Sequence, residues 1–364
     1  MAKRKATTGA SQGFPGRYCE DIEASHDIRQ RQFDQIASYL KSLQSKSQQR
    51  RKAFFRPDHS SKRAYERSTD RYRKVLCARI GYPPSGPTVG SEPRYRLVAT
   101  DAYATIYRMW HEVLEGVEVY GLLFVPKDRD QPSPLMICQH GGGGNPELMS
   151  GFGRDGPGNY GWMVQRAVQE GFAVWAPALI FPYRGTESMS GPTRLDLDAS
   201  ARYLGTSILA IELWKILRGL DAVLKRGEVD PRRVAMMGLS YGGLYTQYAA
   251  ALDRRISVAV SSCFFNDRAV YAHPDWCFFN YLNELTDPEI CALICPRALM
   301  IEVGRRDEHF RVEGARSQVE DASIHWKKLG IAERFVYTEF DGGHEFRGDG
   351  AFEFVKRFLP GPSA

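Results

Sequence analysis

From residue 135 onward, strand-length apolar runs alternate with helix-length runs, and this alternation restricts the fold more than any other feature of the chain. Candidate strands fall at 135–139, 173–176, 233–238, 257–261, 299–303 and 335–340, separated by helical spans at 160–170, 206–226, 241–252, 314–329 and 350–358. Such alternation predicts an α/β fold, a mainly parallel sheet with helices on both faces. Three earlier strands, 95–100, 105–110 and 117–125, follow one another with no helix between them, which predicts antiparallel hairpins. No fixed period recurs, which argues against a solenoid or a propeller.

The first 90 residues read differently. Phe33, Ile36, Leu40 and Leu43 recur at three- and four-residue spacing, as an amphipathic helix over 27–56 requires, and a second helix is expected over 61–80. Pro83, Pro84, Gly86 and Pro87 then break the pattern and place a boundary near residue 90. Residues 1–75 hold 18 Lys and Arg against 8 Asp and Glu, so the net charge of +6 is +10 there and −4 over the remainder. No nucleic-acid-binding fold or set of stacking aromatics accompanies that charge, so we expect a solvated helical surface and no nucleic-acid partner. The same helices are candidates for a homo-oligomer interface covering the entrance to an active site.

No apolar stretch reaches the ~18 residues that would span a bilayer, and the basic start lacks the apolar core of a secretory signal. We therefore expect no membrane partner and a cytoplasmic location. The seven cysteines, Cys19, Cys77, Cys138, Cys263, Cys277, Cys291 and Cys295, are scattered, as suits reduced thiols. The close pair Cys291 and Cys295 has no further ligands nearby, so no metal is expected.

In a sheet of this kind functional groups gather at the carboxyl ends of the strands. Following 233–237 is Gly238-Leu239-Ser240-Tyr241-Gly242, a G-x-S-x-G between a strand and a helix, the setting in which the serine becomes an exposed nucleophile on a strained turn. Following 135–139 is His140-Gly141-Gly142-Gly143-Gly144, whose side-chain-free backbone allows close approach to a ligand. The amides of Gly141 and Gly142, with that of Tyr241, are the candidate oxyanion hole. Asp307, a few residues after 299–303, is the candidate acid, with Glu308 as its local competitor. His344, in Asp341-Gly342-Gly343-His344, is the candidate base and completes the order Ser, Asp, His.

The other histidines read as packing or surface residues, though His273 has a place near substrate and His309 a place in the pocket wall. Two patterns are set aside. Gly151-Phe152-Gly153-Arg154-Asp155-Gly156 matches a dinucleotide fingerprint without the strand that should precede it, and His111-Glu112-Val113-Leu114-Glu115 lacks the second histidine of a zinc site. No cofactor is expected.

With these residues in place, the chain resembles the α/β-hydrolase superfamily, and within it the dienelactone-hydrolase-like and acetyl-xylan-esterase-like serine hydrolases. The resemblance rests on 140–144, on Val229-Asp230-Pro231-Arg232-Arg233-Val234 leading into 238–243, on Cys295-Pro296-Arg297-Ala298-Leu299 leading to Asp307, and on 342–346; it covers about 90–360. It implies an N-terminal extension over 1–90, a catalytic domain over 91–364, and a carboxylic ester hydrolase with the triad Ser240, Asp307 and His344. Dienelactone hydrolases proper use cysteine, so Ser240 points to ordinary ester hydrolysis. Arg184, Glu147 and Trp276 are candidate contacts to a small-molecule or carbohydrate ester. A carbon–carbon bond hydrolase, a peptidase of the prolyl-oligopeptidase type and a silent binding protein of the same fold are the competing readings.

Overall fold

The computed structural model of the chain describes residues 15–18, 20–86, 89–127, 129–181 and 191–361. The chain divides into two compact units, 1–49 and 50–364. In the first, α1 (His26–Ser45) buries none of its residues. The single helix expected over 27–56 is instead two, α1 and α2 (Ser47–Phe54). The hydroxyls of Ser42, Ser45 and Ser47 each donate to the carbonyl three residues back, a local alternative to the helical ladder that loosens the junction.

The second unit is built on a nine-stranded sheet in the order β1-β2-β3-β5-β4-β6-β7-β8-β9. Its strands are β1 (Arg94–Thr100), β2 (Ala104–Leu114), β3 (Val117–Pro126), β4 (Ser133–Gln139), β5 (Ala173–Pro177), β6 (Val229–Leu239), β7 (Ile256–Ser262), β8 (Ala298–Gly304) and β9 (Phe335–Phe340). The first three form an antiparallel meander, β3 is antiparallel to β5, and every later pairing is parallel. β4, β5 and β8 are buried along their whole length, as strands covered on both faces must be.

Helices α3 (Lys62–Ile80), α4 (Pro146–Met149), α5 (Met163–Gln169), α6 (Arg194–Tyr203), α7 (Ile208–Val223), α8 (Tyr241–Leu252), α9 (Tyr281–Glu284), α10 (Asp287–Ala292), α11 (Val312–Lys328) and α12 (Ala351–Phe358) complete it. Apolar side chains form two cores. One joins α3, α7, α8, α10 and α11 to the sheet, the other α5 and α12. Each large side chain fully withdrawn from water contributes ~1.5–3 kcal/mol.

The division between the two compact units lies at 49/50. Within the larger unit, α3 places Tyr65, Tyr72, Leu76 and Ile80 in the core, with the Tyr65 hydroxyl donating to the Ala292 carbonyl at 2.9 Å. Most of its charged residues form one face, while the other is core and includes the buried Arg73, whose Nε donates to the Ala251 carbonyl at 2.8 Å.

Because the chain lays β5 on one side of β4 and then crosses to β6 on the other, the strand order reverses at β4. A crevice opens at such a switch point, outside the carboxyl ends of the two strands. Register aligns those ends: Gln139 pairs with Gly238, Leu239 with Ser262, Ser262 with Glu302 and Gly304 with Phe340. The residues that follow, His140, Ser240, Cys263, Arg305 and Asp341, therefore leave the sheet along one edge. Among the described residues no helix is long and apolar enough to cross a membrane.

Candidate active site

Ser240 stands between β6 and α8 at φ 61° and ψ −121°, a backbone state that costs a non-glycine residue ~1–3 kcal/mol and persists only where its surroundings enforce it. Here they do. The Ser240 amide donates to the Ser262 carbonyl at 2.9 Å, and the Leu244 amide donates to the Ser240 carbonyl at 3.0 Å. A Cβ on Gly242 would stand 2.0 Å from the Gln139 carbonyl oxygen, and one on Gly238 2.4 Å from that of Gly242. The turn thus closes on both its own strand and β4, and only hydrogen atoms fit at these two positions.

The glycine loop lies beside it. A Cβ on Gly141 would sit 3.0 Å from the Ser240 Cβ and 3.6 Å from its Oγ. His140 is fully buried and holds the loop from below, its Nδ1 donating to the Gly141 carbonyl at 2.9 Å while its Nε2 accepts the Leu179 amide at 2.9 Å. Burial lowers its pKa to about 4, outweighing the opposite pull of the Gly141 carbonyl. The ring is therefore neutral at pH 7, as these two bonds require. The Gly141 amide donates to the Tyr160 hydroxyl at 3.1 Å. The amide of Tyr241 opens α8 and is one of the N–H groups that a helix leaves without an internal partner.

Asp307 follows β8 with its side chain fixed on both oxygens. Oδ1 accepts the amides of His309 and Phe310 at 2.8 and 2.9 Å, and Oδ2 accepts Nδ1 of His344 at 2.8 Å. Burial pushes this carboxyl up, but the bonds from His344 and the two amides outweigh it and hold the pKa below the ordinary value. Glu308 is exposed. His344 is anchored by its backbone, its carbonyl accepting Nδ2 of Asn159 at 2.9 Å, and its ring lies against Phe310 at 5.6 Å and His309 at 4.8 Å.

Ser240, Tyr241, Gly141, Gly142 and His344 all line one cavity of about 610 Å³. Its remaining wall is largely aromatic, with Phe181, Tyr271, Trp276 and Phe310. Underneath, Cys263 brings its sulfur within 4.8 Å of the Asp307 and His344 ligand atoms. The Asp307–His344 hydrogen bond would have to break for that trio to hold a metal, and burial raises the Cys263 pKa and keeps its proton on.

The sequence profile of the prolyl oligopeptidase family matches residues 212–288, which include the Ser240 turn but neither Asp307 nor His344. YtaP of Bacillus subtilis, described as a hydrolase, is 26% identical over 245 residues, covering 64% of this chain and 80% of its own. Among solved structures, a glucuronoyl esterase from Solibacter usitatus superposes with a TM-score of 0.60 at 16% identity, over 82% of this chain and 93% of that one. The methylesterase BT1017 superposes with a TM-score of 0.67 at 17% identity, over 87% and 67% of the two chains. This is the α/β-hydrolase fold.

On this α/β-hydrolase scaffold the residues singled out in the sequence fall into three groups. Ser240, Tyr241, Gly141, Gly142, His344 and Trp276 meet at the cavity, with Asp307 bonded to His344 from behind. Glu147 is not among the cavity-lining residues; it pairs with Arg108 at 3.7 Å and accepts the Tyr120 hydroxyl. Arg184 lies outside the described residues. Sequence reasoning missed Cys263, Tyr160, Arg194 and Asp275. Only Asp275 carried a hint, as part of His273-Pro274-Asp275-Trp276 in an aromatic-rich stretch.

Proposed function

We propose that this chain is a serine hydrolase that cleaves a carboxylic ester through an acyl-enzyme. The observation that carries the reading is that Ser240, held at positive φ, and His344, bonded to Asp307 at 2.8 Å, line the same cavity. The esterase names of the similar structures support it in the same direction. In the first step Nε2 of His344 takes the Ser240 proton as Oγ attacks the ester carbonyl, and Asp307 stabilises the imidazolium that forms. The amides of Tyr241 and Gly142 receive the oxyanion, each donor worth ~2.7–4 kcal/mol. Gly141, whose amide is engaged by Tyr160, contributes closeness of backbone instead. The alcohol departs with the proton from His344, and water repeats the sequence on the acyl-enzyme.

Aromatic walls interspersed with uncharged polar groups such as Asn159, Tyr271 and His273 suit a small ester or an acetylated or methyl-esterified sugar, with Trp276 as a contact. Hydrolysis of 4-nitrophenyl acetate by the purified protein should fall to background in Ser240→Ala, with the unfolding midpoint unchanged. Undiminished turnover by that variant sinks the reading. Cleavage of a dipeptide amide faster than of any ester would transfer it to the peptidase class.

A further inference from the structure

A second carboxylate–imidazole pair stands at the same cavity. Nδ1 of His273 lies 2.6 Å from Oδ1 of Asp275, and the His273 ring is part of the cavity wall. Asp275 is completely buried while the His273 side chain is 41% exposed. The same carboxylate accepts Nε of Arg194 at 2.7 Å and the hydroxyl of Tyr241 at 3.0 Å. Arg194 is itself held by Glu212 at 3.2 Å and by the Tyr245 hydroxyl at 2.7 Å, and its guanidinium stacks on Phe181 at 4.4 Å.

A buried carboxylate needs its charge compensated, and Arg194 with Tyr241 already does that. The imidazole adds something else. A carboxylate only accepts, so the proton of a neutral His273 sits on Nδ1 and Nε2 keeps a lone pair. The ring cannot turn that lone pair away without losing the bond to Asp275. It is also packed against Trp276 at 5.3 Å, and Trp276 is stacked on Phe310 at 5.6 Å. None of the described cavity-lining residues is Asp, Glu, Lys or Arg. His273 is thus an oriented acceptor on a largely aromatic wall.

We propose that Nε2 of His273 receives a hydroxyl group of the substrate, and that the enzyme therefore selects esters that carry a hydroxyl beside the scissile bond. The assignment rests on the ester reading above, and it makes His273 a binding residue with Asp275 and Arg194 as its positioning residues. No bond is made or broken there. Aligning Nε2 with a substrate hydroxyl discriminates well because an analogue that lacks the hydroxyl leaves the acceptor without a partner.

The test compares 2-hydroxyethyl acetate with propyl acetate, which has a methyl in place of the hydroxyl. The wild type should show a kcat/KM at least ~10-fold higher on the hydroxylated ester. His273→Phe, which keeps a ring against Trp276, should reduce that ratio to about one by lowering the hydroxylated ester alone, mainly through KM. His273→Gln, which returns an acceptor near the Nε2 position, should restore part of it. Equal rates on the two esters in the wild type, a fall in both with His273→Phe, or no turnover of the hydroxylated ester by an enzyme active on 4-nitrophenyl acetate overturns the assignment. Loss of the underlying reading has a different signature, namely 4-nitrophenyl acetate turnover that survives Ser240→Ala.

Discussion

Asp307–His344 and Asp275–His273 are two copies of one chemical device in one cavity, and they are supported in opposite ways. Asp307 is aimed by the backbone: two amides of its own loop occupy Oδ1 and leave Oδ2 for the imidazole. Asp275 is aimed by side chains that arrive from α6 and α8, Arg194 and Tyr241. A backbone cradle comes with the loop after β8 and persists whatever surrounds it. The side-chain cradle exists only once several distant segments have packed. The difference teaches that the first pair has the support the proposed proton transfer would need, and the second the support for holding a fixed shape.

The largest effect should separate them at the level of rate. Asp307→Asn should lower kcat on 4-nitrophenyl acetate by ~10⁴-fold, because Asn donates where the imidazole also donates and the ring loses its working tautomer. Asp275→Asn should cost less than ~10-fold on that ester, which offers no hydroxyl to His273. Comparable losses in the two variants would erase the distinction.

Stability should reverse the ranking. Arg194→Met leaves Asp275 buried without its arginine and Glu212 with Lys215 alone at 3.4 Å, and should cost ~3–5 kcal/mol in urea unfolding. Asp307→Asn keeps an acceptor for the two loop amides and should cost about 1 kcal/mol.

A third imidazole, His140, sharpens the contrast because it has no acid partner. Its pKa of about 4 lies below the 6.5 of an unperturbed histidine, so the unfolded chain binds the extra proton first and stability falls as pH drops from 6.5 towards 4. At pH 5 its share of the loss is ~2 kcal/mol relative to pH 7.5. His325, lowered to about 3 by burial and then by His59 and Lys328, adds a loss of the same sign. His140→Gln should therefore flatten part of the urea midpoint's decline over this range. An unchanged slope would remove His140 from the account. Asp307, held below 3.8, loses its contribution only at still lower pH. The smallest effect belongs to His309, whose ring meets His344 edge-on at 4.8 Å; His309→Ala should change kcat by no more than about twofold.

The contrast also explains what could be read in the sequence. All nine strands were legible: those buried on both faces, such as β4, β5 and β8, must be written as apolar runs, and the others, down to the exposed β1, are bounded like them by glycine, proline or a polar turn. The placement of Ser240, Asp307 and His344 at one end of the sheet was legible because each stands just beyond such a strand and is fixed by its own neighbours. Short α4, α6, α9 and α10 were not. Arg194 and Asp275 are 81 residues apart and meet only through tertiary packing, so neither reveals the other. His273 looks like an ordinary loop histidine until Asp275 is placed beneath it. The charge of α3 gives no sign of how deeply its other face, with Tyr65 and Tyr72, is buried.

The fit of Gly238 and Gly242 against neighbouring carbonyl oxygens has a consequence for the chain as a heritable text. Most positions accept several letters of the amino-acid alphabet, whereas at these two any second letter puts an atom within 2.4 Å of an oxygen. A library of single substitutions selected for folded protein should return almost nothing there, while Ser240 between them should at least accept alanine. Selection for structure and selection for turnover would then leave separate marks within five adjacent residues.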